Sequence, residues 1–313
     1  MAARPRARDT RRVTGGGAFV TGGAGFSGQH LLQLLGPDTV APRRNELDLR
    51  DADAVRRALA SARPRRVFHL AALASVGRSW QEPRDTILAN LEMTVNLLEA
   101  ARLEASEATV VLASSGEIYG RPERLPLDES APLRPLNPYA VSKAASDLLA
   151  GQYADAHGLK VVRMRAFNHA GPGQSDAYVV GTLTRQVAEA EAAGKPEARL
   201  RMGNLDSARD FTDVRDVVRA YVAAAAELES GAYNVCSGRA TSVRELVAIL
   251  GAAARIPVRA ELDPSRVRHD EVTELRGTAE HLHTESGWAP EIPLDRTVAD
   301  ALAHWRERIA DAR

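Results

Sequence analysis

Gly17-Ala18-Phe19-Val20-Thr21-Gly22-Gly23-Ala24-Gly25-Phe26-Ser27-Gly28-Gln29-His30-Leu31-Leu32-Gln33-Leu34-Leu35 decides how this chain is read. Gly17 to Val20 is a short apolar run that reads as a buried strand. The glycines Gly22, Gly25 and Gly28 follow at once, with Phe26 and Ser27 between the last two, and an apolar helical run then extends from His30 to Leu35. Small residues at this spacing allow a tight turn, close approach of backbone to a pyrophosphate, and packing of helix on strand. The helix would turn unpaired N–H groups and its positive dipole end toward the phosphates. Glycine is common in loops, so the triplet alone says little. A strand before it and a helix after it supply the context that dinucleotide binding requires.

The pattern continues outward. Strands are expected near Thr39–Pro42, Arg66–Leu70, Thr109–Ala113 and Lys160–Arg165. Helices are expected at Ala52–Ala62, Thr86–Leu103 and Ala140–Ala156. Strands alternating with long helices predict an α/β, doubly wound parallel sheet. Right-handed crossovers then gather the carboxyl ends of the strands on one edge, where such sheets bind ligands. Beyond Gly171 the character shifts, with a helix near Thr182–Ala193, a loop at Gly203–Arg209 and a final helix near Thr297–Ile309. The expected organisation is a dinucleotide-binding unit over residues 15–170, with 210–250 returning to it. A smaller, partly discontinuous C-terminal lobe over 171–209 and 251–313 would hold the substrate.

Composition narrows the functional classes. Lys+Arg and Asp+Glu number 41 each, so the formal charge is zero, which argues against a nucleic-acid coat. One cysteine, Cys236, excludes an internal disulfide framework and a cysteine-based metal cluster, and it is expected to be packed and inert. No apolar run of about 18 residues exists to span a membrane. Residues 1–14 hold five arginines without a clear amphipathic pattern and read as a flexible tail rather than a transit peptide. The expectation is a soluble, cytoplasmic protein of metabolic type. Only three lysines, Lys143, Lys160 and Lys195, stand against 38 arginines. A lysine kept in such a chain is more apt to need a titratable ammonium.

Cofactor choice is read after the second strand, at Ala41-Pro42-Arg43-Arg44-Asn45. An acidic residue there would bind the ribose hydroxyls of NAD, whereas arginine accommodates the 2′-phosphate of NADP. No carboxylate comes before Glu46, so Arg43 and Arg44 favour NADP(H). Asp48 and Leu49 are placed to meet the adenine, and Leu70, Ala71 and Ala72 end the next strand beside the cofactor. His69 reads as a structural hydrogen-bonder, and Asn90 as part of a helix running under the nicotinamide side.

Pro138-Tyr139-Ala140-Val141-Ser142-Lys143 carries the chemistry. Tyr139 and Lys143, four residues apart, share a helical face. An ammonium near a phenol lowers its pKa, and the pair can pass a proton to or from a carbonyl or alcohol. A third hydroxyl is available in Ser114-Ser115. His281-Leu282-His283 has no partner Cys or acidic cluster at ligand spacing, so no metal is expected.

From Gly17 to Trp305 the chain resembles the extended short-chain dehydrogenase/reductases, within the nucleotide-sugar epimerase/dehydratase family. The resemblance rests on Thr21–Gly28, His69–Ala72, Ser114-Ser115-Gly116-Glu117-Ile118-Tyr119-Gly120, Tyr139…Lys143 and Phe167-Asn168. It implies a Rossmann-like fold and makes Ser115, Tyr139, Lys143 and Glu117 the catalytic positions, Ser115 by counting four back from Tyr119. Phe167–Gln174, Arg209–Asp216, Tyr233–Gly238 and Val267–Val272 resemble members that act on GDP-4-keto-6-deoxy sugars. The implied substrate-side residues are Ser75, Asn168, Arg209, Arg268 and Glu271, with both arginines on the nucleotide diphosphate. The implied reaction is NADPH-dependent reduction of the C4 ketone of a 4-keto-6-deoxy nucleotide sugar. Gly116 stands where dehydratases carry one of two acidic or hydroxyl groups, which weakens a 4,6-dehydratase reading, and His269 replaces a family proline. A 4-epimerase and a catalytically silent NADP sensor are the other readings. The resemblance also implies a homodimer, paired through the helices at Thr86–Leu103 and Ala140–Ala156.

Overall fold

A computed structural model describes residues 17–263 and 272–312. The tail at 1–14, Arg268, His269 and Glu271 lie outside the described residues.

The opening segment folds as strand β1 (Ala18–Thr21) and helix α1 (Phe26–Leu35). β2 (Thr39–Val40) and α2 (Ala52–Ala62) follow, then β3 (Arg66–His69). Next come α3 (Val76–Gln81), α4 (Pro83–Glu104), β4 (Thr109–Ala113), α5 (Pro138–His157) and β5 (Val161–Ala166). β2 stops two residues short of the predicted end, because Pro42 has no N–H to give a ladder. α4 starts earlier than its apolar periodicity indicates, with Pro83 in its first turn, where a missing N–H costs nothing.

The second half supplies β6 (Asn168–Ala170), α6 (Val179–Ala192), β7 (Ala198–Met202) and β8 (Ala208–Asp213). α7 (Val214–Glu227), β9 (Gly231–Val235), β10 (Ala240–Ser242) and α8 (Val243–Ala253) come next. The chain ends with β11 (Val258–Leu262), β12 (Glu274–Leu275), α9 (Glu280–Ser286) and α10 (Leu294–Asp311). The expected loop at Gly203–Arg209 is cut short, since β8 already begins at Ala208 and pairs with β6, β10 and β12.

Six parallel strands form the main sheet in the order β2-β1-β3-β4-β5-β9. Its strands read as continuous apolar runs because both faces are covered. Ala18, Val20, Phe68 and Val111 pack on one face with Leu31 of α1 and Val217, Val218 and Tyr221 of α7. Phe19, Val67, Val110 and Leu112 turn to the other, against Val55 and Leu59 of α2, Leu97 of α4 and Tyr153 of α5. The alternation is the period of two that strand geometry imposes. α7 and β9 thus return to this sheet, while α8 joins α6 and α10 around Leu183, Leu200, Leu246, Leu302 and Trp305 in the second lobe.

A small cluster of Ile118, Tyr119, Leu127, Phe167, Cys236 and Leu275 lies at the carboxyl edge and joins the lobes. Cys236 is buried there, and burial pushes its thiol pKa up. No described helix is long and apolar enough to cross a membrane.

Candidate active site

Gly22 has φ +74°, and a Cβ on it would stand 2.7 Å from the Ala71 amide nitrogen. A Cβ on Gly28 would meet the Gly22 carbonyl at 2.2 Å. Both glycines are therefore required for the turn to lie between β1 and β3 with α1 pressed on it. Gly25 is the N-cap of α1 and has no side chain with which to cap it, leaving the first-turn N–H groups for an outside acceptor. Beside this turn lies a cavity of about 570 Å³, lined by Gly22, Gly23, Arg43, Arg44, Asp48, Leu49, Ala71 and Ala72 among others. This donor turn, with an elongated cleft running from it, fits the diphosphate and adenosine of a dinucleotide. Asp48 is held by Arg50 through two hydrogen bonds of 3.1 and 2.8 Å, which lowers its pKa to about 2.

A second cavity of about 370 Å³ shares Gly22, Ala71 and Ala72 with the first and continues over the ends of β4 and β5. It is lined by Gly25, Phe26, Ser27, Gly28, Leu70, Ser115, Glu117, Tyr139, Lys143 and Asn168, together with residues of the second lobe. Asn137 caps α5 by accepting from the Ala140 amide at 2.8 Å, so Tyr139 falls in the first helical turn. Ser115 and Tyr139 line this cavity together, and burial outweighs the effect of the neighbouring Ser115 hydroxyl and raises the phenol's pKa. The phenol is thus protonated at neutral pH, as a proton donor must be. Lys143 Nζ donates to the Ala113 carbonyl at 2.7 Å. Burial lowers its pKa to about 8, against an opposing pull from Asp147 one turn further along α5.

Geometry separates the two serines. Ser114 Oγ donates to Asp147 Oδ2 at 2.6 Å, and Asp147 also takes two bonds from Arg165 at 3.1 and 2.8 Å, deep under the sheet edge. Ser115 instead caps a short 3-10 turn over Gly116–Tyr119, accepting from the Glu117 amide at 3.2 Å, and faces the phenol. Glu117 lines the same cavity and accepts from Asn137 Nδ2 at 3.3 Å.

Other predicted positions are held by bonds within the protein. Ser75 accepts from the Arg78 amide at 3.2 Å as the cap of α3, while its neighbours Ala74 and Val76 line the cavity. Asn90 is buried beneath the β3–α3 loop. It accepts from the Leu73 amide at 2.7 Å and donates to the Leu73 carbonyl at 3.3 Å and to Ser142 Oγ at 2.9 Å. Arg209 donates to the carbonyls of Ala208 and Val272 at 2.9 and 2.8 Å and is not among the residues lining either cavity. His69 behaves as expected, held between Thr21 Oγ1 at 2.7 Å and Thr94 Oγ1 at 3.3 Å, with burial lowering its pKa to about 3. His281 stacks on Tyr233, and His283 Nδ1 meets the Trp288 carbonyl at 3.1 Å. Among the described residues no group of His, Cys, Asp and Glu could hold a metal ion.

Several residues of this region carry no local sequence signal. The His169 ring lies parallel to that of Phe26, centroids 5.8 Å apart, and its Nε2 is 3.0 Å from Ser27 Oγ. Gln174 Nε2 donates to the His169 carbonyl at 2.7 Å. These contacts fasten the second lobe to the first turn of α1. Tyr178, at the start of α6, lines the cavity from the far side.

Fold and site together define a nicotinamide-dinucleotide oxidoreductase whose cleft gathers Ser115, Tyr139 and Lys143. A family model described as GDP-mannose 4,6 dehydratase matches residues 41–301. The GDP-6-deoxy-D-mannose reductase of Pseudomonas aeruginosa is 37% identical over 300 residues, covering 94% of this chain and 98% of that protein. The solved structure of RMD from Pseudomonas aeruginosa complexed with NADPH has a TM-score of 0.86 and 34% identity, covering 94% of this chain and 100% of that one. UDP-glucose 4-epimerase of Thermus thermophilus in complex with NAD has a TM-score of 0.79 and 31% identity, covering 93% and 99%. The chain belongs to the nucleotide-sugar epimerase/dehydratase branch of the extended short-chain dehydrogenase/reductases, a family of NAD(P)-dependent enzymes.

Proposed function

We propose that this enzyme reduces the C4 ketone of GDP-4-keto-6-deoxy-D-mannose to GDP-D-rhamnose, with NADPH as reductant. The observation that carries the reading is the place of Gly116. A Cβ there would stand 2.9 Å from the ring of Phe167, so the chain has no room for the second group that a dehydratase would use. The same catalytic set without that group suits carbonyl reduction. NADPH supplies a hydride to C4 when bound. Tyr139 donates its phenolic proton to the carbonyl oxygen and is reprotonated from solvent. Ser115 holds that oxygen, and Lys143 keeps the transient phenolate low in energy. Proton transfer of this kind contributes about 10²–10⁴-fold.

NADP preference is supported by the adenosine end. Arg43 and Arg44 line the cavity, whereas Glu46 accepts from the Arg43 amide at 2.8 Å and is not part of that lining. The acidic residue of NAD-binding relatives has no counterpart there except Asp48, which Arg50 holds. This is also what disfavours the epimerase reading. Asn168 lines the cavity on the sugar side, and the resemblance assigns Arg268 to the nucleotide diphosphate and Glu271 to the substrate. Pairing of two chains through α4 and α5 is supported by Leu148, which is 61% exposed on α5.

The test is to incubate purified protein with the keto sugar nucleotide and NADPH and to follow the nicotinamide absorbance. Stoichiometric NADPH loss with a GDP-linked 6-deoxyhexose as product is expected. Conversion of GDP-mannose without net cofactor loss would overturn the reductase in favour of a dehydratase.

A further inference from the structure

Tyr178 faces the reaction centre from the second lobe, across the cleft. It caps α6, and Thr182 Oγ1 donates to its carbonyl at 2.9 Å, so its backbone is fixed. Its side chain lines the cavity that also holds Ser115, Tyr139 and Asn168. Its hydroxyl donates to the Ala74 carbonyl, 104 residues away in the nucleotide unit, at 3.3 Å.

That bond differs from the other contacts between the lobes. Ser27–His169 at 3.0 Å and His30–Pro172 at 2.9 Å lie beside α1. The Tyr178 bond is longer and stands on the open side, where the side chain is 39% exposed. Its acceptor, Ala74, belongs to the loop that Asn90 clamps at Leu73 and Ser75 ties to α3, so the loop is a firm wall. A phenol resting on such a wall by one weak bond is free to exchange that bond for a ligand oxygen.

The identity of that ligand follows from position. Tyr178, at the start of α6, and Tyr139, in the first turn of α5, line the same cavity. Tyr139 must reach the carbonyl oxygen of the hexose, so a hydroxyl near it on the opposite wall faces the same ring. The Tyr178 phenol, its pKa pushed by burial above the already high ordinary value, is protonated at neutral pH, which gives a neutral donor and acceptor suited to sugar hydroxyls.

We propose that Tyr178 is a specificity-determining residue: its hydroxyl leaves Ala74 and hydrogen-bonds a hexose oxygen, fixing which face of the ring meets the hydride. This rests on the reductase reading above. Two hydroxyls on opposite walls, Tyr139 and Tyr178, would then hold the ring against turning over.

The test is Tyr178→Phe, which keeps the ring and removes one oxygen. The wild-type enzyme is assayed in parallel with the keto sugar nucleotide and NADPH, and melting of both proteins is recorded. The expected KM for the keto sugar rises about tenfold, the size of one lost hydrogen bond, and kcat stays within about threefold. The Kd values of NADPH and of GDP alone should be unchanged, and the product should contain the C4 epimer. An unaltered KM with a single epimer overturns the proposal. So does an equal loss of affinity for GDP alone, which would mean that the ring packs on the nucleotide or that the lobe has shifted. A wild-type protein that leaves NADPH untouched overturns the reductase reading, and the hexose role with it.

Discussion

The ring of Phe167 lies on Gly116 so closely that a Cβ at position 116 would come within 2.9 to 3.1 Å of three ring carbons. On its other edge the ring meets Gly277, where a Cβ would stand 2.6 Å away. Phe167 is 4% exposed and held in the cluster with Ile118, Tyr119 and Leu275, so it has little freedom to withdraw. The absent side chain at 116 is therefore a packing requirement as well as a departure from the dehydratase pattern.

Gly116→Ser should consequently not create a dehydratase. The added atoms should overpack the junction and cost about 1–3 kcal/mol, read as a lower urea midpoint. Ser115 sits next in the chain, so reductase turnover should fall too. A Gly116→Ser protein of wild-type stability that dehydrates GDP-mannose would refute this account of the site.

Tyr139→Phe removes the proposed proton donor and leaves a ring of the same size in the first turn of α5. Turnover should drop by at least about 10², while NADPH still binds, since the glycine turn and Lys143 are intact. Steady-state kinetics with a fluorescence titration of NADPH separates the two quantities. Wild-type turnover in this variant would remove Tyr139 from the mechanism.

Lys143 predicts a pH dependence with a defined sign. Its pKa falls from 10.5 unfolded to about 8 folded, chiefly through burial. Between these values the unfolded chain binds more protons, so folding stability rises with pH across that window. At neutral pH the buried ammonium costs up to about 3 kcal/mol. Lys143→Met should therefore be the more stable protein at pH 7 in the absence of cofactor, with an advantage that shrinks toward pH 10. Its activity should be lost. In the wild type, kcat/KM should decline above pH about 8 as the ammonium next to the reaction centre loses its charge. Urea midpoints at the two pH values and a pH–rate profile check both parts. A Met variant whose advantage grows with pH would mean that the ammonium is stabilised in the fold.

Local patterns make the main sheet legible. α2 and β4 fall at the predicted boundaries because each is a clean amphipathic or apolar run between polar breaks. α3 has no such signal, being six residues long and too short to show a helical period. The catalytic turn is visible for the same local reason as the sheet, since Tyr139 and Lys143 are four residues apart. Ser114 and Ser115 are adjacent and chemically alike, so the residues alone do not choose between them. What separates them is Asp147, 33 residues from Ser114, which accepts its hydroxyl. The contacts that join the lobes are more remote still, with Ser27 and His169 142 residues apart. The resemblance assigns Arg209 to phosphate, yet its guanidinium donates to two backbone carbonyls, one of them at Val272, 63 residues on.

The remaining prediction concerns Arg43 and Arg44, which no local bond commits to another role by side chain as plainly as Arg50 is committed to Asp48. Both are exposed at the rim of the cavity that holds the glycine turn. An exposed guanidinium adds little to folding stability, so replacing both should leave the urea midpoint almost unchanged. NADPH and NADH differ only in the 2′-phosphate, and a contact to that group acts on one cofactor alone. If both arginines grip it, the double change Arg43→Ala, Arg44→Ala should weaken NADPH by roughly tenfold or more per contact and leave NADH nearly as it was. The NADPH affinity of the wild type should also fall with added salt more steeply than that of the variant, because exposed charge pairs are screened. Titration of both cofactors into both proteins at two salt concentrations measures the affinities, and urea unfolding measures the midpoint. Equal losses for NADPH and NADH would place the arginines against the shared part of the cofactor, and no loss would leave them facing solvent. Either result would end the case for NADP preference from this end of the site.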